Sequence, residues 1–157
     1  FEDHSLCKHA EKPIRELRNW LIQPLSDSDS RNMHGLQWVP QLIGLGPGLT
    51  PSGDDFIGGM MISLHILGEA EVCRQLWMPT LGCAINAGNP IALAHLNAAS
   101  EGLGSSGVHD ALAAILEGCP RKIGKTLTTI DSIGHTSGWD AMAGVIITFD
   151  AWLDAHR

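Results

Sequence analysis

Gly44-Leu-Gly-Pro-Gly-Leu-Thr-Pro-Ser-Gly-Asp-Asp55, running into the apolar segment Phe56–Leu67, sets the architecture of this chain. Four glycines and two prolines in twelve residues cannot make a helix interior, because glycine adds backbone entropy cost and proline removes a donor. The stretch is therefore a specified loop. Phe56–Leu67 is apolar nearly all round, which predicts a central buried helix. Gly58 and Gly59 weaken that helix and are best explained by the close approach of another backbone.

Outward from this centre the pattern is helical. Ile14, Leu17, Leu21 and Leu25 keep helical spacing, and Pro13 suits a first turn, so Pro13–Pro24 reads as a helix. Ser26–Gly35 is polar and reads as a mobile loop. Trp38–Ile43 is short and apolar, with Pro40 limiting any strand to an edge. Glu71–Ala87 reads as a helix kinked or split at Pro79. Asn89-Pro90 pairs an N-cap with an N1 proline and opens Pro90–Glu101. Ser106 can cap Gly107–Glu117, and Gly118 with Pro120 is a stop signal. Ile123, Leu127 and Ile130 mark a short helix, and Trp139–Ala155 is a long amphipathic one. No segment alternates with period two. The expected fold is mainly α, a bundle or array of about six helices in a single domain spanning 1–157. In it, 1–36 is a peripheral helix and polar loop, and 37–157 is the core.

Composition excludes several classes. The net charge of −7 argues against a nucleic-acid partner, which wants a basic stripe. No apolar run reaches the roughly 18 residues of a membrane span, and no leader-like segment opens the chain. Cys7, Cys73, Cys83 and Cys119 include no C-x-x-C pair, so reduced and largely buried thiols are expected, with a cytoplasmic location. Gly102-Leu-Gly-Ser-Ser-Gly107 spells G-x-G-x-x-G but follows a helix, so a dinucleotide fold is rejected. There is no H-E-x-x-H and no zinc spacing. His65 and His95 sit on apolar helices and read as satisfied core histidines.

One local pattern recurs. Ser52-Gly-Asp-Asp-Phe-Ile-Gly-Gly59 and Ser137-Gly-Trp-Asp-Ala-Met-Ala-Gly144 both read Ser-Gly-x-Asp-x-x-x-Gly, with Thr50 or Thr136 just upstream. A purely structural account is available. Ser52 and Ser137 would cap their helices, Asp55 and Asp140 would reach back as in a capping box, and Gly59 and Gly144 would let the helices touch. A functional account adds to it. Two glycine-permitted helix starts side by side would converge N–H groups of Gly46, Gly48, Gly53 and Gly138 on a small anion. Thr50, Ser52, Thr136 and Ser137 would add hydroxyls. The carboxylates Asp54, Asp55 and Asp140 would repel that anion unless Mg²⁺ bridged them to a phosphate, or unless they accepted hydrogen bonds from a substrate amide. Asp55, Asp140 and His135, the one histidine in a glycine turn, are the candidate catalytic groups. Proximity of Asp55 and Asp140 is expected on this account.

The two motifs, from roughly Val39 to the C-terminus, resemble a bacterial family long labelled a domain of unknown function. Some of its members are assigned as a subunit of oxamate carbamoyltransferase in allantoin and purine degradation. The resemblance implies a part in carbamoyl transfer alongside other protein subunits, with carbamoyl phosphate and oxamate as context. It also implies that this chain is the C-terminal part of a longer family protein. It implies no catalytic assignment for individual residues. A non-catalytic docking subunit, a homo-oligomer and a regulatory domain binding a purine catabolite remain open alternatives.

Overall fold

The computed structural model describes residues 3–23 and 33–157. Seven α-helices and one 3₁₀ segment follow in chain order, with no strand among the described residues. They are α1 (Asp3–Ile22), the 3₁₀ segment Met33–Gln41, α2 (Ser52–Ile66), α3 (Ala70–Ala87), α4 (Pro90–Ser100), α5 (Ser106–Leu116), α6 (Pro120–Asp131) and α7 (Ser137–Ala155). Of the polar run Ser26–Gly35, residues 26–32 lie outside the described residues, and Met33, His34 and Gly35 belong to the 3₁₀ segment rather than to a loop.

Helix α2 is the centre. Twelve consecutive residues, Gly53 to Leu64, are buried, so the helix has no solvent face along most of its length. It packs chiefly on α7, with α4 and α3 on other sides; α1 covers α7 and the 3₁₀ segment, and α5 and α6 pair beside α7. Ile57, Met60, Met61, Leu96, Leu112 and Val145 fill the core, and α1 adds Leu17, Trp20 and Leu21.

The α2–α7 contact is made by the repeated motif. A Cβ on Gly59 would lie 2.0 Å from the Ala141 carbonyl oxygen, and one on Gly144 would lie 2.0 Å from that of Phe56. Each motif's last glycine thus rests on the carbonyl one residue past the other motif's aspartate. One turn further on, Ser63 Oγ donates to Gly59 O at 2.9 Å, and Thr148 Oγ1 donates to Gly144 O at 2.8 Å. Only hydrogen at the glycine Cα lets two helix backbones come this close.

Several local expectations are corrected. α1 starts ten residues before Pro13, because Leu6 and Ala10 extend the apolar spacing backwards. Pro13 therefore sits in the helix interior, where its missing N–H removes one bond. The segment after residue 32 is 3₁₀ rather than extended. Leu36, Val39 and Leu42 are buried at three-residue intervals, the period of that helix. α3 runs unbroken through Pro79. The cap of α5 is Ser105, one residue earlier than read, its hydroxyl accepting from Val108 N–H at 3.4 Å. Asn89 does cap α4, accepting from Ile91 and Ala92 N–H at 3.1 Å each. Of the four free cysteines only Cys73 is fully buried, which pushes its thiol up to about 11; Cys7 is exposed.

Candidate functional site

Neither repeated serine caps its helix. The N-cap residues are Pro51 for α2 and Thr136 for α7, and neither makes a side-chain cap hydrogen bond. Instead Thr50 Oγ1 and Ser137 Oγ lie 3.1 Å apart, one hydroxyl donating to the other and joining the two motifs across the helix crossing. The capping-box reading of Ser52 with Asp55 and Ser137 with Asp140 therefore fails: serine in the first turn lies past the position from which a side chain can reach back to an orphan N–H.

The aspartates have separate roles. Asp54 is 2% exposed, and its Oδ1 accepts from Gly44 N–H at 2.7 Å, pinning the glycine loop to α2. Burial raises its pKa above the usual carboxylate range, with the Gly44 bond and the charge of His95 opposing. Asp55 is also 2% exposed. Burial raises its pKa, the hydroxyls of Ser137 and Thr50 and the charge of His95 pull it down, and Asp140 adds a small upward push. Its Oδ1 lies 3.4 Å from His95 Nε2, an ion pair when the imidazole is protonated. The Ser137 and Thr50 hydroxyls lie near enough to the carboxylate to lower its pKa but bond each other, and Oδ2 is buried without a hydrogen bond of proper geometry from either.

Asp55 lines a cavity of about 240 Å³. Its walls draw on both motifs: Thr50, Gly58 and Gly59 from the first, Gly134, Ser137 and Gly138 from the second, with His95 from α4 and Ser105 before α5. Asp140 lines a different, mainly apolar groove of about 370 Å³ with Ser52, Gly53, Phe56 and residues of α1, and its Oδ2 is likewise buried and unpartnered. The two motifs thus meet in space, while their aspartates face different cavities. A third groove, between α5 and α6, is open and lined by Lys122 and Lys125, but Lys122 is already paired with Glu117.

The remaining predicted residues are distributed as follows. Gly46 and Gly48 shape the loop at φ 109° and 105°. Gly53 and Gly138 press on backbone, with Cβ positions 1.9 Å from Leu42 O and 2.2 Å from Ile130 O. Their N–H groups donate to Leu45 O and Ile133 O, so neither is available to an anion. Thr136 and His135 are exposed, and His135 lines none of these cavities. His65 is satisfied by Ser100 O at 2.7 Å, as a core histidine should be. His95 is not: it faces Asp55 with 40% of its side chain exposed, a role its own helix did not announce. Asp54, Asp55 and Asp140 do not form a ligand set, and among the described residues no group of three or more His, Cys, Asp or Glu side chains is placed to hold a metal ion.

A buried carboxylate, an imidazole, two paired hydroxyls and glycine walls thus line one small cavity, and the carboxylate oxygen can accept a hydrogen bond from an N–H donor. The cavity lies at the crossing of two glycine-notched helices of an all-helical domain. No helix among the described residues is long and apolar enough to cross a membrane. The model of one family, oxamate carbamoyltransferase subunit AllH, matches residues 42–149, and the chain belongs to that family. The match runs from the glycine loop to the penultimate turns of α7 and so contains both motifs and His95. No solved structure matches the chain.

Proposed function

We propose that this chain supplies a substrate-binding wall of a carbamoyltransferase, taking the amide end of oxamate in the Asp55–His95 cavity. The observation that carries this reading is the unpartnered Asp55 Oδ2, 2% exposed in the wall of that cavity. A buried acceptor left without a donor is costly, and a ligand that brings one recovers the loss. Oxamate carries a primary amide beside a carboxylate. Its N–H groups suit Asp55, and its carbonyl oxygen suits the Thr50–Ser137 hydroxyl pair. The cavity falls below the 300–1,000 Å³ range of drug-sized pockets, which fits a ligand of few heavy atoms.

The residues also suit the proton balance. Carbamoyl transfer to the oxamate nitrogen forms a nitrogen–carbon bond, breaks the bond from that carbon to its leaving group, and frees one proton from nitrogen. Asp55, its proton affinity raised by burial, is placed to receive it, and His95 at 3.4 Å to pass it outward. Carbamoyl phosphate is the donor that the resemblance implies, with inorganic phosphate as leaving group.

Calorimetric titration of the chain with oxamate and with carbamoyl phosphate tests this reading. Saturable uptake of oxamate that disappears in Asp55→Asn, while melting is preserved, is the expected result. Uptake unchanged by Asp55→Asn refutes the assignment.

A further inference from the structure

Packing gives Gly58 no reason to be glycine. It is buried in the middle of α2, where glycine costs helix stability relative to alanine. The other glycines buried within α-helices of the described residues are all crowded. A Cβ on Gly53, Gly59, Gly107, Gly138 or Gly144 would come within 3.0 Å of a neighbouring atom. The close backbone approach expected at Gly58 is absent. A Cβ there would meet the Ala99 Cβ at 3.6 Å and His95 Nε2 at 3.9 Å, ordinary contacts with side chains. Its φ is not positive either. What Gly58 does instead is line the Asp55–His95 cavity. Asp55 and Gly58 are three residues apart and so neighbours on one face of α2. The His95 Nε2 that a Gly58 methyl would touch is the atom that lies 3.4 Å from Asp55 Oδ1. A methyl here would therefore stand on the cavity wall beside the Asp55–His95 pair.

We infer that Gly58 is a specificity-determining residue of this cavity: the space left by its missing side chain takes the flat face of the substrate's amide group. Side chains three apart on a helix have Cβ atoms about 5–6 Å apart. A ligand nitrogen about 3 Å from the Asp55 carboxylate therefore carries its carbon over Gly58. A planar amide or urea carbon can lie against a bare Cα, where a methyl would hold it off the wall. Gly59 is thus crowded by the protein and Gly58 by the ligand. The inference rests on the cavity being the oxamate site, and it adds the surface against which the amide lies.

Thermal unfolding and oxamate titration of the same samples test it. Gly58→Ala should melt at or above wild type yet take up oxamate at least about tenfold more weakly, because the added methyl overpacks the occupied cavity and not the empty one. Gly82→Ala, exposed on α3 with nothing within 4 Å of its Cβ, should gain stability in the same way and leave uptake unchanged. Wild-type uptake by Gly58→Ala overturns the inference; if Asp55→Asn abolishes uptake in the same series, the oxamate reading stands without it. A Gly58→Ala chain that melts well below wild type also overturns it, by giving the glycine a packing role. Uptake weakened by Gly58→Ala but kept by Asp55→Asn refutes the part given to Asp55 and leaves the Gly58 wall standing. No uptake of oxamate by the wild-type chain overturns both.

Discussion

Gly59→Ala should be among the most damaging single-methyl additions in this protein. The added Cβ would lie 2.0 Å from Ala141 O, and real Cβ atoms essentially never come within 3.0 Å of such an atom, so α2 and α7 must part by about 1 Å. The obstacle is backbone in mid-helix and cannot rotate aside. Separation would also loosen the reciprocal seat of Gly144 on Phe56 O, within the most extensive helix contact of the fold. Overpacking of a close-packed core costs about 1–3 kcal/mol, and a backbone obstacle with a shared reciprocal contact belongs at or above the top of that range. The substitution gains back about 1 kcal/mol of helix propensity. A net loss of about 2–3 kcal/mol remains, from a total near 5–15 kcal/mol. At this chain length that lowers Tm by roughly 5–10 °C. Gly82→Ala is the control, because a Cβ there meets nothing within 4 Å inside α3. It should stabilise by about 0.5–1 kcal/mol. Urea and thermal unfolding followed by circular dichroism measure both. Gly59→Ala as stable as wild type would refute the claim that the repeated motif exists to bring two helix backbones into contact.

Further outcomes follow from the buried aspartates and the helix staples. Asp54→Ala should destabilise by about 1.5–3 kcal/mol through loss of a charged-group bond, whereas Asp54→Asn keeps an acceptor for Gly44 and should cost less. Amide exchange at Gly44 should speed up in the first variant only. Because burial raises the pKa of Asp55 in the folded state, its contribution is fully present below the ordinary carboxylate value and is lost as pH rises through the raised one. The stability of Asp55→Asn relative to wild type should therefore increase as pH is raised from about 4 towards 7, measured by urea unfolding at each pH. Arg18→Ala removes the links from α1 to Asp150 and Asp154 on α7, yet it should cost only about 0.2–1 kcal/mol because the pair is at the surface. Leu17→Ala, one residue away and fully buried, should cost about 2–5 kcal/mol in the same unfolding assay.

Much of this architecture was legible in the sequence, and for a physical reason. A helix buried on all sides must be apolar on all sides, so Phe56–Leu67 announced its own position. Glycines in mid-helix are tolerated only where something crowds them, so Gly59 and Gly144 pointed to a backbone contact. The Asn89-Pro90 start was readable because a cap and its first turn are neighbours in sequence. The 3₁₀ segment is not legible in the sequence because its signal, Leu36, Val39 and Leu42, has a period of three, between the two of a strand and the 3.6 of an α-helix. The capping boxes were misread because Ser-x-x-Asp has the same spacing whether the serine caps or lies in the first turn. Thr50 and Ser137 each stand out in their motifs, but the bond between them spans 87 residues and has no local signature. His95 was missed for a similar reason: its partner Asp55 is two helices away, and nothing on α4 distinguishes a histidine facing a carboxylate from one facing a carbonyl, as His65 does.

The central claim is that the cavity shared by the two motifs, at Asp55 and His95, is where the small substrate binds. Oxamate titration followed by NMR of the histidine rings and threonine methyls tests it most directly. Saturable shifts at His95 and Thr50, with His135 unmoved and all shifts abolished by Asp55→Asn, are predicted. Shifts centred on His135 and Thr136, or on the Asp140 groove with His95 silent, would contradict it.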